Sequence, residues 1–438
     1  MKRMILVFIG IFLVFLFYNL MVSPLVMDEV WAYGFTNNLY RGMIPYRDFN
    51  MIIPPFFVFL MSLPFHLFGS SMLVFHIENA VLITILFFLL YKILGQKTFL
   101  LLPLFIFPLN VTFPNYNFLL LFLFVLLLFL EKKEIPDFWI GFVLGLLILT
   151  KQTVGFCMIF PSLFFLKNKR KILHRICGCF VPCCCFLIYL LITNTFSTFL
   201  DLGVFGLFDF GSSNQGSFSF YFFLTVFLLV VEVILLIRGK NKLFLFYLMA
   251  FVSITVPIFD YYHVWLYFIA FFIVLLTMFD PFGKRFLLFQ VFFFFFFIIF
   301  SFLQSDIQLS NYPNDISHFE YRYLSKKTIV NIHKYNKMIR ENNNHFVVIG
   351  PEGYLHKISL DLDATYLEML CSGNFGYHGY DKMMNLIFER DSDTLFFLRK
   401  QEIDHSNSQI DKRLISYIQK NGVLQGEDEL YYFYLLNG

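Results

Sequence analysis

Charged residues are scarce in this chain: only 14% of its 438 residues are Asp, Glu, Lys or Arg, against 58% hydrophobic. Soluble domains carry closer to a quarter charged residues, so water is excluded as the solvent for most of the sequence. Cysteine pairing at ligand or disulfide spacing is also missing. Cys157, Cys177, Cys179, Cys183, Cys184 and Cys185 sit in or beside apolar runs, and Cys371 stands alone in a polar region. That distribution excludes a disulfide framework and reads as small apolar packing. No G-x-G-x-x-G follows a strand, and Gly350-Pro-Glu-Gly353 reads only as a turn, so no nucleotide site and no nucleic-acid partner are expected.

What is present is a series of long apolar runs, among them Ile5–Leu20, Val81–Leu90, Phe118–Leu130, Tyr221–Val231 and Val291–Phe300. In lipid each backbone N–H and C=O must be satisfied within its own segment, so these runs predict membrane-spanning helices. Lys2 and Arg3 precede the first run, but no A-x-A-like cleavage site follows it, and an uncleaved first span is expected.

The basic residues before 303 fall into clusters: Lys2/Arg3, Lys92/Lys97, Lys132/Lys133, Lys167–Arg175, Arg238/Lys240/Lys242 and Lys284/Arg285. Only Arg41, Arg47 and Lys151 lie elsewhere. If every cluster is cytoplasmic, an even number of spans separates successive clusters. Between Arg3 and Lys92, the stretch 53–68 is short and carries three prolines and a His, so it is expected as a juxtamembrane helix at the outer surface. The expected fold is therefore an α-helical polytopic membrane protein of about 11 transmembrane helices, with a cytoplasmic N-terminus and a first outer loop at 23–71.

After Phe302 the composition changes. Residues 304–438 hold more acidic than basic groups and no long apolar run. Candidate strands at 345–350, 394–398 and 430–436 alternate with helical periodicity at 321–340, 380–389 and 409–420, which predicts a small extracytoplasmic α/β domain. The division expected is thus 1–303 and 304–438.

The outer polar chemistry gathers in the first loop. Asp28 and Glu29 stand at the mouth of span one, and Asp28 is placed to cap a helix over about 29–41. Arg41, Arg47 and Asp48 follow, then Pro54-Pro55. Asn115-Tyr116-Asn117, Lys151-Gln152 and Asp260-Tyr-Tyr-His263 occupy later outer turns. Glu78, beside His76 and Asn79, and Glu232 fall inside apolar runs, where ionisable groups are costly and so are functional candidates.

The pattern D-E, then R-G-x-x-P-Y-R-D, then P-P before a short apolar stretch resembles the GT-C glycosyltransferases, nearest the protein-mannosyltransferase and aminoarabinose-transferase-like branch. The likeness covers about residues 1–300. It implies sugar transfer from a polyprenyl-phosphate carrier to a glycan, glycolipid or protein acceptor on the outer face. By that resemblance Asp28 is the catalytic base and Glu29 its neighbour. Lys151, Arg41 and Arg47 would bind the phosphate, with Glu78, Tyr261 and His263 as further substrate contacts. A divalent metal shared by Asp48 and His263 is also admitted. Relatives carry an acidic-basic pair before Pro-Pro, where this chain has Ile52 and Ile53. The alternative is a non-catalytic flippase of lipid-linked sugars, which needs paired charges at mid-membrane.

Overall fold

The computed structural model describes residues 2–106, 112–213, 219–239, 241–279, 311–370, 374–390, 393–404, 410 and 412–436. The expected Lys284/Arg285 cluster, the run Val291–Phe300 and Cys371 lie outside the described residues.

The first apolar run forms α1 (Lys2–Phe17), which continues through a π turn at Tyr18–Val22. The first loop folds into α2 (Met27–Tyr40), α3 (Phe56–Ser62) and α4 (Phe65–Phe68). The last two are too short to cross hydrocarbon about 30 Å thick. α2 begins earlier than the sequence suggests. Val26 occupies the N-cap and no side chain caps the helix, so Asp28 sits inside the first turn. Its carboxylate is therefore not spent on capping, which corrects the capping expectation.

The apolar helices α5 (Met72–Leu94), α6 (Leu102–Ile106), α7 (Tyr116–Lys132), α8 (Asp137–Thr150), α9 (Gln152–Phe164) and α10 (Lys169–Ile192) follow. Two short helices, α11 (Phe196–Phe199) and α12 (Gly206–Ser213), precede α13 (Phe220–Ile237), α14 (Lys242–Phe251) and α15 (Tyr261–Met278). Among the described residues five helices are long and apolar enough to cross a membrane: Met4–Val22, Met72–Ile106, Lys169–Ile192, Phe220–Ile237 and Tyr261–Met278. Tyr261–Met278 is 78% buried and forms the centre, whereas Phe220–Ile237 is only 17% buried and turns its apolar side chains outward. α8 and α10 pack backbone to backbone: a Cβ on Gly141 would stand 1.9 Å from Arg175 O, and one on Gly178 2.0 Å from Phe138 O. Small residues allow this approach.

The polar part forms a four-stranded sheet in the order β3-β4-β6-β5. β3 (Phe346–Ile349) runs parallel to β4 (Leu395–Arg399), while β6 (Tyr431–Leu436) lies antiparallel to β4 and to β5 (Gly422–Glu427). The expected strands and helices are present, and β5 was not anticipated because its pattern is almost wholly exposed. A separate two-stranded ribbon, β1 (Asn311–Tyr312) with β2 (Leu324–Ser325), leads into it.

Ends assigned to one side by charge alternation meet in space. At one face Arg175 binds Glu131 and Asp137, and Lys97 Nζ donates to Phe279 O at 3.0 Å. At the other face the first loop, Lys151, Asp260 and the α11–α12 segment gather beneath the α/β domain.

Candidate functional site

Three helix starts, two of them capped by a side chain, converge on this second face. Asn115 Oδ1 accepts from Phe118 N at 2.9 Å and opens α7; Asp260 Oδ1 accepts from His263 N at 2.8 Å and opens α15. Lys151 forms the turn that opens α9. Short polar side chains serve here because they satisfy the free N–H groups of a first helical turn. They also bring carboxylate, imidazole and amide groups to the ends of buried helices.

Asp260 Oδ1 also accepts from His263 Nδ1 at 2.8 Å. With the proton on Nδ1, Nε2 is left to accept from Asn117 Nδ2 at 3.2 Å. Tyr262 donates to Asn115 Oδ1 at 2.7 Å. Asp28 lies within electrostatic reach of His263 and Asp260. It is exposed by surface area yet surrounded by protein, the arrangement of a carboxylate lining a deep recess open to solvent. Burial raises the Asp28 pKa above the usual range, His263 opposes the shift and Asp260 adds to it. Asp260 goes the other way: burial would raise it, but the bonded His263 holds it low.

Lys151 Nζ donates to Ile254 O at 3.3 Å. Burial pushes this ammonium down to about 8, against the pull of Asp260. The neighbouring Gln152 Nε2 donates to Gly203 O at 2.5 Å and Ile52 O at 3.4 Å, tying the α11–α12 segment over the same turn.

Glu29, next to Asp28, has a different fate. It is fully buried and accepts from Arg322 Nε at 2.9 Å and Nη2 at 3.2 Å, and pairs with His76 Nε2 at 2.8 Å. Burial would raise its pKa, but Arg322 and His76 outweigh that and hold it near about 2. Arg322, itself fully buried, also donates to Leu20 O, Pro24 O and Ser23 Oγ at 3.1–3.2 Å. The segment that carries Asp28 is thus pinned by a residue of the C-terminal part.

Neither the protein-family models nor the curated proteins yield a match. Among solved structures, the chain is similar to ArnT from Cupriavidus metallidurans. The structure of that protein bound to undecaprenyl phosphate superposes with a TM-score of 0.61 at 11% identity, over 99% of this chain and 98% of the other. Its apo state gives 0.59 at 12% identity over the same shares. The chain has the fold of ArnT. At this identity the likeness carries the architecture from end to end, the C-terminal sheet included.

Within this fold the predicted site residues divide. Asp28 and Lys151 each lie within electrostatic reach of Asp260, which holds His263, and Tyr261 stacks on Trp265 with ring centroids 6.1 Å apart. Glu78 is half-buried on α5 with Oε2 unpartnered. Arg41 is drawn away by Asp361 and Asp363, each at 3.0 Å. Arg47 pairs with Asp48 at 2.9 Å, and Asp48 Oδ2 accepts from Ile44 N at 2.7 Å. Asp48 and His263 therefore answer to different partners, and among the described residues no group of three His, Cys, Asp or Glu is placed to hold a metal. Sequence reading missed Arg322 and the part played by Asn117. Nothing in a polar loop marks one Arg as buried, whereas Asn at the start of a span was a usable signal.

Proposed function

We propose that the protein is an inverting glycosyltransferase that moves a sugar from a polyprenyl-phosphate carrier to a glycan, glycolipid or protein acceptor at the outer membrane face. In this reading eleven spans keep the N-terminus cytoplasmic and the α/β domain outside, in keeping with the gathering of charge clusters at one end. The observation that carries the proposal is the grouping of Asp28 and Lys151 about Asp260–His263 in a chain with the fold of ArnT.

The acceptor hydroxyl attacks the anomeric carbon, its proton passes to Asp28, and the bond from that carbon to the phosphate oxygen breaks. The bonding pair leaves with the polyprenyl phosphate. A carboxylate with a raised pKa is a stronger base than ordinary Asp. Lys151, barely partnered at rest, gains a counter-ion when phosphate arrives, and its charge offsets the negative charge that develops on the leaving group. Asp260 orients His263 towards Asp28 and Asn117. Support for the lipid carrier comes from the undecaprenyl phosphate bound by the similar ArnT.

The test is transfer of radiolabelled sugar from a synthetic polyprenyl-phosphate sugar by purified protein and by Asp28→Asn. Transfer by wild type, lost in the variant, supports the proposal. Movement of the lipid-linked sugar across vesicles without transfer would instead establish the flippase.

A further inference from the structure

Between α8, α9 and α10, from within about a turn of Lys151 down to Arg175, lies a cavity of about 360 Å³. Ile148, Phe156, Leu163, Ile176, Phe180 and Cys183 line it, and no polar surface shows in its walls. Phe156 and Phe180 are 62% and 61% exposed, so the groove opens sideways to the bilayer rather than into the protein. Arg175 closes its inner end with its stem, because its guanidinium nitrogens are occupied by Asp137, Glu131 and Ser162.

A second observation stands beyond the end that Arg175 closes. Lys167, Lys169, Arg170 and Lys171 follow the end of α9 and begin α10, and all four are exposed. Among the described residues none has an ion-pair partner, unlike Arg175 one turn further on. From Lys169 to Ile176 the helix rises about 10 Å, so the cations sit about a head-group distance beyond the apolar walls. Four unpaired cations at a hydrocarbon groove are more than orientation requires. Each basic residue near an anionic membrane surface strengthens the attraction by about fivefold.

We infer that this groove and its cationic rim form a binding site for one anionic phospholipid. An acyl chain lies between α9 and α10, and the phosphodiester sits against Lys167–Lys171. The occupant is a lipid because the cavity is dry, faces the bilayer and offers nothing to a polar ligand. The rim selects a negative head group. The inference is independent of the transfer reaction, since the groove shares no residue with the recess.

Native mass spectrometry of the full chain decides it, with the protein released from nanodiscs of equal phosphatidylglycerol and phosphatidylcholine. Wild type is expected to retain one phosphatidylglycerol. Replacing Lys167, Lys169, Arg170 and Lys171 by Gln, a surface change that leaves packing alone, should lower the preference for phosphatidylglycerol by about tenfold or more. Cys183→Phe should abolish retention of either lipid by filling the groove, and Ile159→Phe fills it from the facing helix should the first variant fold poorly. Equal retention of both lipids by wild type, or undiminished retention by the well-folded groove variants, overturns the inference.

Discussion

Arg322 of the C-terminal part reaches Glu29 at the mouth of the first span with two nitrogens, at 2.9 and 3.2 Å, and both residues are fully buried. Two elements nearly three hundred residues apart therefore share one ion pair directly beside the proposed base. The α/β domain is fastened to the segment that carries Asp28, not simply laid over it.

Removing one partner leaves a buried charge alone. Arg322→Met should lower stability by about 3–5 kcal/mol, and Glu29→Gln should also cost stability. The double variant is expected to lose less than the two singles together, because neither charge is then stranded. Thermal unfolding in detergent measures all three. Strict additivity would mean that the pair is not coupled.

The same pair gives a pH dependence. Glu29 has a folded pKa depressed to about 2 from an ordinary 4.5, so its stabilisation is present above the ordinary value. It is lost as pH falls from about 4.5 towards 2. Limited proteolysis across that window should release the α/β domain from wild type more readily as the medium becomes acid. In Glu29→Gln the acid sensitivity should be flatter, and an unchanged profile would assign it to other carboxylates.

Asp28→Asn should cost on the order of 10²–10⁴-fold in kcat. Membrane yield should hardly change, since Asp28 caps nothing. Because burial raises the Asp28 pKa, the wild-type rate should fall on acidification at a pH above the ordinary Asp value of about 3.9. Residual activity of the Asn variant should lack that limb, and the same limb in both proteins would point to another group.

Lys151 and Arg41 separate by their partners. Lys151→Ala should raise the KM for the lipid donor and lower kcat, as its ammonium has only one weak backbone acceptor to lose. Arg41→Ala removes exposed pairs worth about 0–1 kcal/mol and should leave donor KM nearly unchanged. Steady-state kinetics with a water-soluble short-chain donor tests both, and a larger KM effect from Arg41 would reverse the assignment.

Gly376 adopts φ +90°, and a Cβ there would meet the Asp201 carboxylate at 1.9 Å. Beside it Tyr377 N and His378 N donate to Asp201 and Asp209 at 3.1 and 2.5 Å. Gly376→Ala should loosen this latch between the α/β domain and the α11–α12 segment. Faster hydrogen exchange at 374–379 is expected, with the sheet unaffected. Exchange unchanged at those positions would show that the latch tolerates the methyl group.

Much of this protein is determined locally. Backbone groups in lipid must bond within their own segment, so the helix at 72–94 and the broken stretch 56–68 are legible from apolar length and proline alone. Charge alternation likewise foretells which helix ends meet, and buried strands such as Phe346–Ile349 announce themselves by composition. The candidate site was partly legible, because Asp28, Lys151 and His263 are polar interruptions between apolar runs. What sequence does not contain is partnership. Whether Asp28 or Glu29 keeps a solvent-reached carboxylate depends on Arg322 arriving from the far end of the chain. Whether Arg41 can serve a phosphate depends on Asp361 and Asp363. Adjacent acids and neighbouring arginines look alike in one dimension; burial and counter-charge, which set their pKa and availability, exist only once distant segments pack.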